Sequence, residues 1–372
     1  MEDKIIIIAT YPYSRALLLK GQLEAEGIDC FLSNINLIQP HISSGVKVRI
    51  NEKDLSKALK IIDEIKKEYG EARQTTLEMM KRTRRILVPV DFSESSVNAC
   101  SYAVGLAAKL KAEIKLLYSY FNPIVVAEPY TEENTFQFRM DELVSKIEPR
   151  AKEQMHNLIG QLKDHSKKEG IEKLKITYHL DRGTPEEIIL RYAELWKPGV
   201  IVMGTKGTGR GAYDYIGSVT KKIITKAGMP ILVVPQNSVY RGISYIGKIL
   251  YATNFDESDL RSLRTLIAML SPFDVRLYCA HTGTEDDTAV NRAMLNNLKE
   301  RFQNEYSGYN LHCDLIHNND IVQGLEDYIE DKEIDLLALT THKRGVMERL
   351  FNPSLARQML FHTHIPLLVF QS

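Results

Sequence analysis

The chain has 372 residues, with 48 basic and 48 acidic side chains and a formal net charge of zero. At roughly 100–200 residues per domain this length predicts two or three domains, and the charge balance argues against a general nucleic-acid binder, which needs a cationic excess to displace counterions. Hydrophobic content of 44% and charged content of 26% exclude wholesale disorder.

The N-terminus, MEDKIIIIATYPYS, has an apolar run of four isoleucines behind Asp3, too short for a membrane span or a leader. Cys30, Cys100, Cys279 and Cys313 form no CxxC pair and no disulfide framework. The expectation is a soluble, cytoplasmic chain. Within residues 1–70, KIIIIATY reads as a strand, Ser14–Glu26 as a helix stopped by Gly27, and DCFLSN and VKVRIN as two more strands. Asp54–Tyr69 is an amphipathic helix. The order β-α-β-β-α predicts a small ferredoxin-like α+β unit. Residues 71–83 read as a charged linker, with Lys81, Arg82, Arg84 and Arg85 a basic cluster at its end.

Beyond residue 83 the chain repeats itself. ILVPVDFSES (Ile86–Ser95) returns as ILYATNFDES 163 residues later, and Met203–Val234 aligns without a gap to Leu339–Phe370, 136 residues later. Two copies of one unit, 84–236 and 246–372, follow, the second having lost 27 residues between these landmarks. Aligning AEIKLLY with FDVRLYC puts two of the lost residues before the second strand and 25 between Tyr120 and Ile176. In the first copy ILVPV, IKLLYSY, KITYHL, VIVMG and PILVV are strands. Helices are expected over about Ser95–Leu110, Phe136–Glu169, a segment opened by Thr184-Pro-Glu-Glu, and Ser218–Ala227. Alternating strands and helices predict two tandem doubly wound α/β domains with parallel sheets, whose ligands bind at the strands' carboxyl edge.

The chemistry-bearing pattern lies in the first copy. Gly204-x2-Gly207 is followed, nine residues on, by Gly217-Ser218, between a buried strand and a helix. Glycines there let backbone N–H groups approach a phosphate, and a helix start favours an anion. Ser218 and Thr220 add hydroxyls, and Asp91 ends the first strand on the same edge, where a carboxylate suits a ribose hydroxyl or Mg²⁺. Lys206 and Arg210 are further candidates for pairing phosphate charge. Copy two carries Asn254, Thr340, Lys343 and Pro353 at the positions of Asp91, Gly204, Gly207 and Gly217, and keeps only Ser354. Its site is therefore read as degenerate. His362 and His364 have no local acid or thiol to complete a metal site, and His342 reads as a loop residue.

Residues 84–236, through ILVPVDFSESS, GTPEEIILRYA and MGTKGTGRGAYDYIGSVTKKIITKAGMPILVVP, resemble the universal stress protein domain of the ATP-binding kind. The resemblance implies an adenine nucleotide, ATP, with adenine at Pro89, Val90, Asp91 and Ser119. It puts ribose near Asp91, Met203 and Gly204, and phosphates on Gly207, Gly217, Ser218, Val219 and Thr220. Mg²⁺ comes with ATP through Asp91. Ser119 departs from the apolar residue common there. Residues 1–70, through ATYPYSRALLLKGQLEAEGIDCFLSN and VKVRINEKDLSKALKIIDE, resemble a small ferredoxin-like domain assigned to signal transduction. Members of the stress-protein family pair through their last strands. PILVVP against IPLLVF would make an intramolecular pseudo-dimer, with association of whole chains the further arrangement. The implied function is a nucleotide-responsive stress or signalling protein with a protein partner, and no nucleic acid or membrane. The alternatives are a slow ATPase or phosphotransferase using Asp91 and Mg²⁺, against which no base or nucleophile stands out, and a ligand-free scaffold.

Overall fold

The structure is a computed structural model describing residues 4–11, 13–34, 46–68, 84–120, 133–171, 173–205, 217–255, 257–283, 288–305, 311–341 and 365–371. Gly207, Lys206, Arg210, the linker 71–83, Lys343, Pro353, Ser354, His342, His362 and His364 lie outside the described residues.

The N-terminal unit consists of β1 (Ile5–Tyr11), α1 (Tyr13–Ala25), β2 (Cys30–Ser33), β3 (Val46–Asn51) and α2 (Leu55–Glu68). Its three strands form an antiparallel sheet in the order β1-β3-β2. Period-2 alternation puts Ile6, Cys30, Val48 and Ile50 on one face. There they pack with Ala16, Leu19 and Leu23 of α1 and Ala58, Ile61 and Ile62 of α2. Val290, Ala293 and Met294, from a helix of the second copy, join this core.

The first copy contains β4 (Arg85–Pro89), α3 (Glu94–Leu110), β5 (Glu113–Tyr120), α4 (Glu133–Lys168), β6 (Ile176–Arg182), α5 (Pro185–Trp196), β7 (Val200–Gly204), α6 (Ser218–Lys226) and β8 (Ile231–Val234). The second contains β9 (Lys248–Ala252), α7 (Glu257–Leu270), β10 (Arg276–Gly283), α8 (Thr288–Glu305), β11 (Leu311–His317), α9 (Ile321–Lys332), β12 (Leu336–Thr341) and β13 (Leu367–Gln371). The α/β fold is as the pattern predicts. All neighbouring strands within a copy are parallel, and the two sheets join antiparallel at β13·β8 into one of ten strands, β11-β10-β9-β12-β13-β8-β7-β4-β5-β6.

Alternation divides the strand residues between two cores. Ile86, Val88, Val202 and Leu232 face α3 and α4, while Leu87, Ile201, Met203 and Val233 face α5 and α6. Both cores continue through the β8·β13 seam into the second copy. Local signals set the helix ends. Ser93 caps α3 by accepting the Ser96 amide, and Lys111 closes that helix in the left-handed region at φ 50°. Pro185 occupies the first turn of α5, but the Thr184 side chain makes no capping hydrogen bond.

The register corrects the placing of the lost residues. Arg85 lies beside Glu113, and its repeat equivalent Lys248 beside Arg276. The second strand therefore keeps the offset of 163, and no residues are lost before it. The next strand begins at Ile176, paired with Ile114, and at Leu311, paired with Leu277, an offset of 135. Copy two is thus 28 residues shorter across this single crossover, where α4 has 36 residues and α8 has 18. It regains one residue before α9. A two-residue slip preserves which face each side chain takes, so periodicity alone did not distinguish offsets of 161 and 163.

Candidate functional site

In the first copy β4 and β7 are neighbours, and the crossovers leaving them run to opposite sides, from β4 to β5 and from β7 to β8. This arrangement opens a crevice at the carboxyl edge of the strands. Val90 is anchored by its amide, which donates to Leu117 O at 2.9 Å. Asp91 follows, half-buried. Its Oδ1 accepts from the Ser93 amide at 3.1 Å and from Ser93 Oγ at 2.5 Å. Ser93 Oγ in turn accepts the Ser96 amide at 3.2 Å. The carboxylate is thereby oriented by the cap of α3. Phe92 between them takes φ 62° and lays its ring 4.8 Å from that of Tyr118. Burial, then the nearby Asp91 charge, pushes the Tyr118 hydroxyl above its ordinary pKa. Ser119, half-buried, follows on β5 beside Asp181 of β6.

On the other side, β7 delivers Met203 and Gly204, both buried. A Cβ on Gly204 would sit 2.8 Å from the Ser95 carbonyl carbon and oxygen, and would also strike Ser95 Oγ. The glycine is therefore required by the close approach of α3, a reason the sequence pattern did not disclose. The Gly204 carbonyl accepts from Thr220 Oγ1 at 3.0 Å, and Thr220 is 4% exposed. Its hydroxyl thus ties α6 to β7. The Gly217 amide donates to Thr205 O at 2.6 Å. That leaves the N–H groups of Ser218, Val219 and Thr220, in the first turn of α6, without an acceptor within the helix. No acid sits in that turn, and Lys221 and Lys222 follow it. Gly217 has φ −63° and ψ 150°, a conformation open to any residue.

Among the described residues no three His, Cys, Asp or Glu side chains converge to hold a metal. Asp91 is a single carboxylate, which fits Mg²⁺ only where phosphate oxygens complete the shell.

The same edge of the second copy is filled by its own side chains. Tyr251, at the position of Val88, is fully buried, and its hydroxyl lies 2.6 Å from Thr340 Oγ1 and donates to Asp259 Oδ1 at 3.0 Å. Asp259 also accepts from Thr253 Oγ1 at 2.9 Å and the Asn254 amide at 2.8 Å. Burial, then the Asp259 charge, drives the Tyr251 hydroxyl far above its ordinary pKa, so it stays a donor. Thr340 carries the Cβ that Gly204 cannot. Phe255 repeats the left-handed backbone of Phe92, φ 62°, and its ring lies tilted against that of His281, 4.4 Å between centroids. The N-terminal unit roofs this edge: Ile8, Tyr11, Leu59 and Ile62 line a small cleft with Thr253 and Phe255.

A model of the universal stress protein family matches residues 82–235. A universal stress protein of Methanocaldococcus jannaschii is 29% identical over 154 residues, covering 41% of this chain and 81% of its own length. One from Synechocystis is 24% identical over 302 residues, covering 77% of this chain and its whole length. A crystal structure of a universal stress protein from Archaeoglobus fulgidus, 17% identical, superposes with a TM-score of 0.54 over 78% of this chain and 99% of its own, a likeness of fold. No helix among the described residues is long and apolar enough to cross a membrane. The family model is seated on the copy that carries Asp91, Gly204 and the Gly217–Ser218 helix start, so residues 82–235 are similar to a universal stress protein domain.

Proposed function

We propose that the chain is a cytoplasmic, ATP-binding stress protein in which nucleotide on the first copy biases the arrangement of the domains and so a partner-binding surface. The observation that carries this reading is the start of α6. Three N–H groups, those of Ser218, Val219 and Thr220, meet the crevice edge on which Asp91 is held by Ser93. The helix dipole favours an anion there. Gly217 supports it from another side: its backbone needs no glycine, so the missing side chain serves close approach. Phosphates lie on this turn and at Gly207, ribose against Asp91 and Gly204, and adenine along Pro89, Val90 and Ser119. Asp91 would hold a Mg²⁺ ion arriving with the nucleotide, and the ion would offset phosphate charge. Copy two, with Tyr251 and Thr340 inside its edge, acts as the structural half.

The strand order of the N-terminal unit supports the ferredoxin-like, signal-transducing reading. Its contact with copy two through Val290 and Met294 offers a route between them. All four cysteines are free thiols, and burial pushes Cys30 up to about 11 and Cys100 up to about 12, in keeping with unreactive thiols in a reducing compartment.

The test is calorimetric titration of the full chain with Mg·ATP, after denaturing a sample to detect co-purified nucleotide. One ATP per chain is expected, with affinity reduced at least about tenfold in Asp91→Asn. Absence of binding in the nucleotide-free chain would sink the reading.

A further inference from the structure

The N-terminal sheet has two faces, and among the described residues the helices cover only one. On the other face the register sets out a row across the three strands, Ile7–Arg49–Phe31, flanked by Ile5 opposite Asn51 and by Thr10 and Ser33 on either side of Lys47. Ile5 is 53% exposed, Ile7 37% and Phe31 51%. Three of the seven large hydrophobic side chains exposed among the described residues thus share one small face. Scattered exposed apolar residues need no explanation, but a contiguous group with a polar rim marks an interaction surface.

The polar groups on this face are also short of partners. Arg49 stands on the central strand between Ile7 and Phe31, and its Nε is buried with no hydrogen-bond partner. Ser33 Oγ, on the strand position opposite Lys47, is likewise buried and unpartnered. No Asp or Glu occupies the face positions of the three strands. The cations on the helical side are matched differently: Lys20 pairs with Glu24, and Lys57 with Glu26. A buried guanidinium nitrogen left without an acceptor is unfavourable, and a carboxylate meeting the Arg fork relieves it.

We infer that this open face, centred on Arg49 and anchored by Ile7 and Phe31, docks an acidic amphipathic helix of a partner protein. Neighbouring strands lie about 4.8 Å apart, so Ile7 and Phe31 stand about 10 Å from one another. That separation matches the width of a helix. Apolar residues at i, i+3 and i+4 would settle on Ile5, Ile7 and Phe31, with Asp or Glu reaching Arg49 and Lys47. A second copy of this chain fits less well, because a two-fold contact across the central strand sets Arg49 and Lys47 against their own equivalents. Single-stranded nucleic acid fits less well because Phe31 is the one aromatic ring at the described strand positions of the face, where base readers stack bases on several.

The experiment selects from a random peptide library displayed on phage against the full chain, with Phe31→Ala and Arg49→Glu chains as counter-selection. Circular dichroism and melting confirm that both variants are folded, and Lys47→Glu serves as a third variant. The expected result is enrichment of sequences combining Leu, Ile or Phe at helical spacing with Asp or Glu. A synthetic enriched peptide should lose at least about tenfold in affinity against each variant and when its acids are changed to Lys. Enrichment of neutral or basic sequences, or equal binding to wild type and variants, overturns the inference. So does binding of an oligothymidylate probe that Phe31→Ala abolishes, or a dimer in sedimentation that the same change dissociates.

Discussion

Leu232 and Leu368 are equivalent positions of the two copies, and they lie directly opposite each other in the antiparallel β8·β13 pairing. Leu367 faces Val233 and Val369 faces Ile231, so the seam is symmetric about that one pair. Each strand would otherwise end its sheet with an open apolar edge. Leu232 and Leu368 are 2% and 4% exposed, which makes the seam a core as well as a ladder. Leu368→Asp should destabilise the chain by about 3 kcal/mol or more, from lost burial and an unpaired buried charge. Urea denaturation checks the magnitude, and loss of amide protection in β8 as well as β13 checks that the seam is what fails.

Gln371 reaches across the same seam. Its Oε1 accepts the Gly228 amide at 2.6 Å, and its Nε2 donates to the carbonyls of Ile223 and Ile224 at the end of α6. A side chain of the second copy thereby finishes the helix whose other end is the candidate phosphate site. Gln371→Ala should lower stability by about 1 kcal/mol. Faster hydrogen exchange in the last turn of α6 is the specific readout, and unchanged exchange there would count against the contact.

Two glycines of the candidate site should answer differently to one methyl group. At Gly204 the methyl meets the Ser95 backbone at 2.8 Å, so Gly204→Ala should destabilise by about 1–3 kcal/mol whether or not ligand is present. At Gly217 the backbone accepts alanine. Gly217→Ala should leave the melting temperature of the free chain within a few degrees and weaken Mg·ATP binding. Equal affinity in that variant would show that the turn is not a phosphate cradle.

Glu326 on α9 gives the chain a pH dependence. Its Oε1 is buried without a hydrogen-bond partner. Burial, then the charges of Glu330, Asp327 and Asp320, raises its pKa to about 7. A carboxyl raised above its unfolded value binds more protons in the folded state. The stability it confers is therefore present below the unfolded pKa near 4.5 and is lost as pH rises through about 7. Glu326→Gln should flatten the stability curve between those values and stabilise the chain at pH 8 by on the order of 1 kcal/mol. Melting curves across that range measure it.

Much of this was readable in the sequence. The repeat, the parallel strands, the helices beginning near Ser95 and at Ser218 and the β-α-β-β-α order each follow from local periodicity and turn residues. The site was legible as a pattern, and Asp91, Met203, Gly204 and Ser218 do come to one sheet edge. The roles within it were less so. Gly204 looks like a phosphate glycine in the sequence, yet its need comes from Ser95, which lies 109 residues earlier in the chain. Thr220 looks like a ligand hydroxyl, yet it bonds the Gly204 carbonyl. An Asp-x-Ser-x-x-Ser run is the signal that would have located the Asp91–Ser93–Ser96 cap.

The sequence by itself determined that there are two copies, because a repeat is a property of residue order. It also determined that the first keeps the glycines and the acid while the second loses them. Tertiary structure decided where the missing residues fall, because strand register depends on partners that a period of two does not identify. It decided that Tyr251 fills the second copy by meeting Thr340, 89 residues away. It decided as well that one ten-stranded sheet joins the copies, since a strand edge is closed by whatever edge complements it in space.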